Sequence, residues 1–142
     1  MEKNKIEEIE LAKDEYREVC NNIRHYSNLR FINFSGYFAL MVGLMAVSFG
    51  IEIAQNSPDL LKLAARISGI LVTIIFWAVE NGINRYIDHF QHYARNLEDI
   101  LSFKQWKTLP DSKLWKTNIL FNVLFVAMLI FWVYSVIIVL MG

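Results

Sequence analysis

The chain is short of several things. It has one cysteine, Cys20, in 142 residues. That excludes an internal disulfide framework and any multi-cysteine metal cage. Two prolines and six glycines are too few for a turn-rich all-β fold or a low-complexity chain. There is no excess of either charge, since 14 Lys+Arg face 14 Asp+Glu. The chain as a whole is therefore not a basic nucleic-acid binder. A phosphate-cradling glycine loop, an HExxH pair, a GxSxG elbow and a paired CxxC are all missing, and with them the commonest signatures of catalysis. The carboxylate pairs Glu7-Glu8, Asp14-Glu15 and Glu98-Asp99 lie on charged helical stretches, where a solvated face is the ordinary role. The reading is a non-enzyme with no cofactor. A short basic export leader is also missing: residues 1–30 carry 6 basic and 7 acidic side chains. The first apolar stretch is thus expected to be a retained anchor.

What is present is long apolar sequence. Residues 31–51 hold no Asp, Glu, Lys or Arg, and neither do residues 117–142. Residues 60–79 are charged only at Lys62 and Arg66. A hydrocarbon core needs about 20 apolar residues per helical span. The first and third stretches meet that outright. The second meets it if Lys62 and Arg66 run their stems up to the headgroups. Too little polar sequence remains to wrap three such helices in a soluble core. The spacing predicts an all-α integral membrane protein with spans at 31–51, 60–79 and 117–141. Orientation follows from Lys and Arg. Lys3, Lys5, Lys13, Arg17, Arg24 and Arg30 precede span one, and Arg85, Arg95, Lys104, Lys107, Lys113 and Lys116 lie between spans two and three. Only Lys62 and Arg66 lie at the start of span two. The amino terminus is therefore expected in the cytoplasm and the carboxyl terminus outside, in a bacterial inner membrane.

The flanking segments read as helices. Residues 4–30 contain no Gly or Pro, and Ile9, Ala12, Tyr16, Val19, Ile23 and Tyr26 recur at spacings 3, 4, 3, 4, 3. After span two, Ile83, Ile87, Phe90, Ala94, Leu97 and Leu101 recur at 4, 3, 4, 3, 4, with only Gly82 interrupting. Each pattern is an amphipathic helix with a narrow seam. At about 27 residues each, the two segments reach roughly 40 Å. The expected arrangement is a cytoplasmic antiparallel helical hairpin, 4–30 against 80–108, within a single domain 1–142. Ser57 and Pro58 are expected to start span two, and the run Leu109-Pro110-Asp111-Ser112 to end the second cytoplasmic helix. Trp77, Trp106, Trp115, Tyr37 and Tyr134 are candidate interfacial anchors.

Two constellations stand out. Gly36, Ala39, Gly43, Ala46 and Gly50 fall at spacings 3, 4, 3, 4 on one face of span one. Small residues let helix backbones approach closely in lipid, so this is a helix-packing or oligomerisation face. Polar residues gather near one membrane boundary: Asn33 in span one, Glu80 and Asn84 leaving span two, Asn118 and Asn122 entering span three. They form either the mouth of a polar conduit or a set of interhelical bonds that fix register. Other features are weaker. Glu52 can pair with Lys62 or Arg66. His89 and His92 share a helix face at i, i+3 with His25 on the other arm, short of a metal site. Cys20 is expected to be a buried reduced thiol.

Several stretches carry a resemblance. They are Tyr16, Arg17, Ile23 and Arg24, the run Asn28-Leu29-Arg30-Phe31-Ile32-Asn33-Phe34, the run Phe76-Trp77-Ala78-Val79-Glu80, and Tyr93-Ala94-Arg95-Asn96-Leu97-Glu98. Over residues 10–107 the chain resembles small bacterial helical membrane proteins of the SLATT type, effector modules of nucleotide-signalling and phage-defence systems. It departs from them in its third span and in lacking a recognisable sensor domain. The resemblance implies membrane perturbation or pore formation by an oligomer on a cytoplasmic signal. The expected partners are the lipid bilayer, further copies of the chain, and a cytoplasmic protein or nucleotide-signal sensor; nucleic acid is not among them. The leading expectation is a membrane effector or channel-like protein opened or assembled through its hairpin. The alternatives are a non-conducting interaction or scaffold subunit and, more weakly, a holin-like lysis protein.

Overall fold

A computed structural model describes residues 2–50, 59–108 and 117–141. The described residues form three helices: α1, Glu2–Gly50; α2, Asp59–Leu101; and α3, Thr117–Met141. All three are long and apolar enough to cross a membrane. α1 runs unbroken from the charged amino-terminal stretch into span one, and α2 runs through Gly82 without a break. A helix satisfies its own backbone groups whether water or lipid surrounds it. Only Gly82 weakens the helix at these crossings, at a cost of about 1 kcal/mol, which is too little to end it. α3 coincides with the apolar run that predicts it.

The chain divides into two compact units where a single domain is expected. One, the helix pair, comprises Met1–Arg30 and Asn81–Lys113; the other, the span bundle, comprises Phe31–Glu80 and Leu114–Gly142. No linker in the sequence marks the division, because α1 and α2 each contribute to both.

In the helix pair the two predicted seams meet. Ala12, Val19, Ile23, Ile83, Ile87, Ala94 and Leu97 are buried. Val19, Ile23, Ala94 and Leu97 form one cluster, with Tyr16, Phe90 and Trp106 packed on it. Tyr16 bonds Glu98, while Tyr26 stacks on Tyr86 at 5.0 Å, so the two segments run antiparallel. Burying a large aliphatic side chain away from water is worth about 1.5–3 kcal/mol.

In the span bundle Tyr37 and Met41 of α1 pack with Phe125 and Trp132 of α3, and Phe76, Trp77 and Ile70 of α2 close the cluster. Phe34 meets Phe121 and Tyr37 meets Phe125, so α1 and α3 run in the same direction. Trp77 bonds Asn122 and Arg66 bonds Ser135, so α2 runs against both.

Helix α2 ends at Leu101, not at residue 108. Ser102 takes a left-handed backbone with φ 58°, and residues 105–108 form a turn. A non-glycine residue in this region reverses the chain at a conformational cost. Ser57, Pro58, Glu52, Trp115 and the run from Leu109 to Ser112 lie outside the described residues.

Candidate functional site

The span bundle has a polar interior built by residues that lie at helical spacing. Ala65, Gly69 and Thr73 follow one another at i, i+4 and i+8 on α2, and all are buried. Gly69 is the notch for Trp132, whose indole is 0% exposed. A Cβ at Gly69 would fall inside van der Waals distance of the indole ring. Trp132 Nε1 donates to Met41 Sδ at 3.3 Å. Thr73 Oγ1 donates to the Gly69 carbonyl at 2.7 Å and lies 3.3 Å from the Tyr37 hydroxyl. Tyr37 is thus a core residue rather than an interfacial anchor, because its hydroxyl has a partner inside the bundle.

Arg66 does not run to the headgroups. It is 3% exposed, its Nη1 donates to the Ser135 carbonyl at 2.7 Å, and its guanidinium lies 5.4 Å from the centre of the Phe49 ring. A backbone carbonyl and an aromatic face substitute for water around the charge. All three spans therefore meet at Arg66. Lys62 is half-buried. The hydroxyls of Ser48 and Ser135 are buried with no partner among the described residues.

Of the polar belt, Asn33, Glu80, Asn118 and Asn122 belong to the span bundle, while Asn84 belongs to the helix pair. Glu80 is 2% exposed, Asn84 is buried, and Asn33, Asn118 and Asn122 are half-buried. Asn122 Oδ1 accepts from Trp77 Nε1 at 2.7 Å. That bond links spans two and three, a tie worth about 0.6 kcal/mol in a membrane, and it places Trp77 inside the bundle rather than at an interface.

The small-residue stripe of span one lies on another face. Gly36, Ala39, Gly43 and Ala46 are all exposed, and Gly50 is the last residue of α1. A Cβ at Gly43 would meet nothing within 4 Å, and one at Gly36 only the Phe76 ring at 3.9 Å. The face that packs within the chain is instead Tyr37, Met41 and Ser48.

The helix pair carries a group that sequence reasoning places on a solvated face. Glu98 is buried, and its carboxylate accepts from the Tyr16 hydroxyl at 3.0 Å and from the amides of Trp106 and Lys107 at 2.9 and 3.2 Å. Burial pushes this carboxyl up. The Trp106, Lys107 and Gln105 amides and the Tyr16 hydroxyl outweigh it and hold the carboxyl below its ordinary value. Tyr16 is pushed the other way, above the usual phenol range, first by burial and then by its bond to the carboxylate. Tyr93 donates to Glu15, which raises its phenol as well. Asp99, beside Glu98, is exposed and pairs with Lys107. Trp106 packs on the helix-pair cluster instead of anchoring at an interface. Cys20 is free and half-buried rather than buried. His25, His89 and His92 are exposed, and the described residues include no group of three side chains able to hold a metal.

Two signals in the sequence point to these sites. Ala65, Gly69 and Thr73 form a second small-residue stripe with a strict period of four. Glu98 follows Leu97 at the edge of the seam, where a carboxylate reaches the partner helix. Comparison with protein-family models, with curated proteins and with solved structures finds no match to the chain.

Proposed function

We propose that the chain is a subunit of a homo-oligomeric, channel-like membrane effector. In this reading it sits in a bacterial inner membrane with its amino terminus and helix pair in the cytoplasm and its carboxyl terminus outside. The distribution of Lys and Arg supports that orientation. The observation that carries assembly is the open stripe of span one. A Cβ added at Gly43 meets nothing within 4 Å among the described residues, and close backbone approach is what small residues offer a neighbouring helix in lipid. A second copy is the partner that uses it. Trp132 and Phe125 fill the centre of the single-chain bundle, so the conduit forms between copies. Asn33 and Asn118, both half-buried, line its cytoplasmic mouth. The helix pair assembles or gates it when a cytoplasmic protein or nucleotide-signal sensor acts. The likeness to SLATT-type effectors adds the setting of bacterial defence.

The test counts subunits in nanodiscs and then records planar-bilayer current from the counted species. An assembly that conducts supports the reading, and a monomer in every lipid tried ends it. A second reading is a non-conducting interaction or scaffold subunit that binds its partner through the helix pair. The Trp77–Asn122 bond favours it, because it spends a belt residue on tying spans within one chain. A counted assembly that passes no current selects this second reading.

A further inference from the structure

One carboxylate in the helix pair joins three separate stretches of chain. Glu98 lies in the last turn of α2 and is 1% exposed. Oε1 accepts from the Tyr16 hydroxyl of α1 and from the Trp106 amide, and Oε2 accepts from the Lys107 amide. The two amides belong to the turn that follows α2. A carboxylate over the free N–H groups of a turn is the arrangement that caps a helix start.

That turn is a unit in itself. The amide and hydroxyl of Thr108 both donate to the Lys104 carbonyl, at 3.1 and 2.7 Å. It has few other holds. Trp106 packs on the Val19–Ile23–Ala94–Leu97 cluster, Phe103 meets the edge of Tyr16 at 5.5 Å, and Lys107 pairs with the exposed Asp99. Two features oppose its docking. Trp106 Nε1 is buried with no partner among the described residues, and Ser102 is in the left-handed region. Tyr16 is the ionisable group bonded to the carboxylate; Cys20 of α1 neighbours Tyr16, and Lys107 of the turn pairs with Asp99 of α2.

We propose that Glu98 is a latch and residues 102–108 are its strap. Latched, the strap joins α1 to α2. With the carboxylate charge removed, or with Tyr16 drawn away, the strap leaves as a unit while the contact between the two helices stays. Every part lies within one chain, so the device works whether or not copies assemble.

Amide hydrogen exchange on the full chain in nanodiscs tests this. Glu98→Gln keeps the size of the side chain and removes its charge. It should speed exchange at Trp106 and Lys107 by at least about tenfold, the ratio expected on losing hydrogen bonds to a charged group. Tyr16→Phe removes one of the bonds and should give a smaller acceleration at the same two amides. Asp99→Asn makes the same charge change one residue on, and should leave both amides within about twofold of wild type. Amides of residues 19–23 should not change in any variant. The latch is overturned if Glu98→Gln leaves the strap as slow as wild type, or if Asp99→Asn matches it. It is also overturned if residues 19–23 accelerate in parallel. Should Glu98→Gln fail to fold, Tyr16→Phe decides alone: no acceleration at Trp106 and Lys107 refutes the proposal.

Discussion

Spans one and two each carry a stripe of small residues, and the two stripes have opposite fates. On span two, Ala65, Gly69 and Thr73 are buried, and the Trp132 ring occupies the space that Gly69 leaves. On span one, Gly36, Ala39, Gly43 and Ala46 are exposed, and Gly43 has open space before it. Small residues announce that something approaches closely. What approaches is decided by the large residue opposite. Span three provides Trp132 for span two and nothing for the stripe on span one. Within one chain the stripe on span two is therefore filled, and the stripe on span one is open.

The most severe test of this contrast is Gly69→Ala against Gly43→Ala. The first drives a methyl into a fully buried indole and should cost the isolated chain about 1–3 kcal/mol, the usual penalty for overpacking. The second should be neutral. Thermal unfolding in micelles that shows equal losses would break the contrast. Gly43→Leu sharpens it from the other side. It should leave the unfolding of the single chain unchanged while weakening assembly about tenfold, read as subunit count against protein-to-lipid ratio. A loss of monomer stability would mean that the stripe on span one packs internally after all.

A smaller effect concerns the polar ties beside the two stripes. Asn122→Leu should cost about 0.6 kcal/mol. In a Trp77→Phe background it should cost almost nothing, because the Trp77–Asn122 bond is then already gone. The helix pair, which has no such stripe, gives the mildest response. The Glu98 carboxyl is held below its ordinary value. Its contribution is therefore complete above the unfolded carboxylate pKa of about 4.3 and is lost as pH falls through the depressed value. Tyr16 is raised. Its contribution is complete below the unfolded phenol pKa of about 10 and is lost as pH climbs toward the raised value. Protection of the Trp106 and Lys107 amides, corrected for the pH dependence of intrinsic exchange, should hold across the neutral range and fall only at the two extremes. A transition near pH 7 would contradict the bonds assigned to both groups.

Much of the fold was readable because lipid and water impose simple patterns. The apolar run 117–141 is α3. The two seams name the residues that bury each other in the helix pair, since a period near 3.5 leaves few choices of face. The misreadings share a cause. Pro110 was the stronger local signal for the end of α2, yet Ser102 and the Glu98 carboxylate end it earlier through contacts that form only when the chain folds back. The position of Arg66 near a span end predicts a reach for headgroups, yet its acceptor is a backbone carbonyl of another helix, which no side-chain pattern reveals. Tyr37 carries the composition of an interfacial residue, and only the neighbouring Thr73 hydroxyl makes its burial affordable. The stripe on span one is legible as five small residues on one helix face. Its orientation away from the other two spans is not, because five small residues in register do not say which helix they meet.

The Met41 thioether gives this architecture a chemical clock. Its sulfur accepts from the Trp132 indole inside the bundle, whereas Met141 is 83% exposed at the end of α3. Peroxide converts a reachable methionine to its sulfoxide. Met141 should oxidise at once and record the dose, and Met41 only as often as the three spans separate.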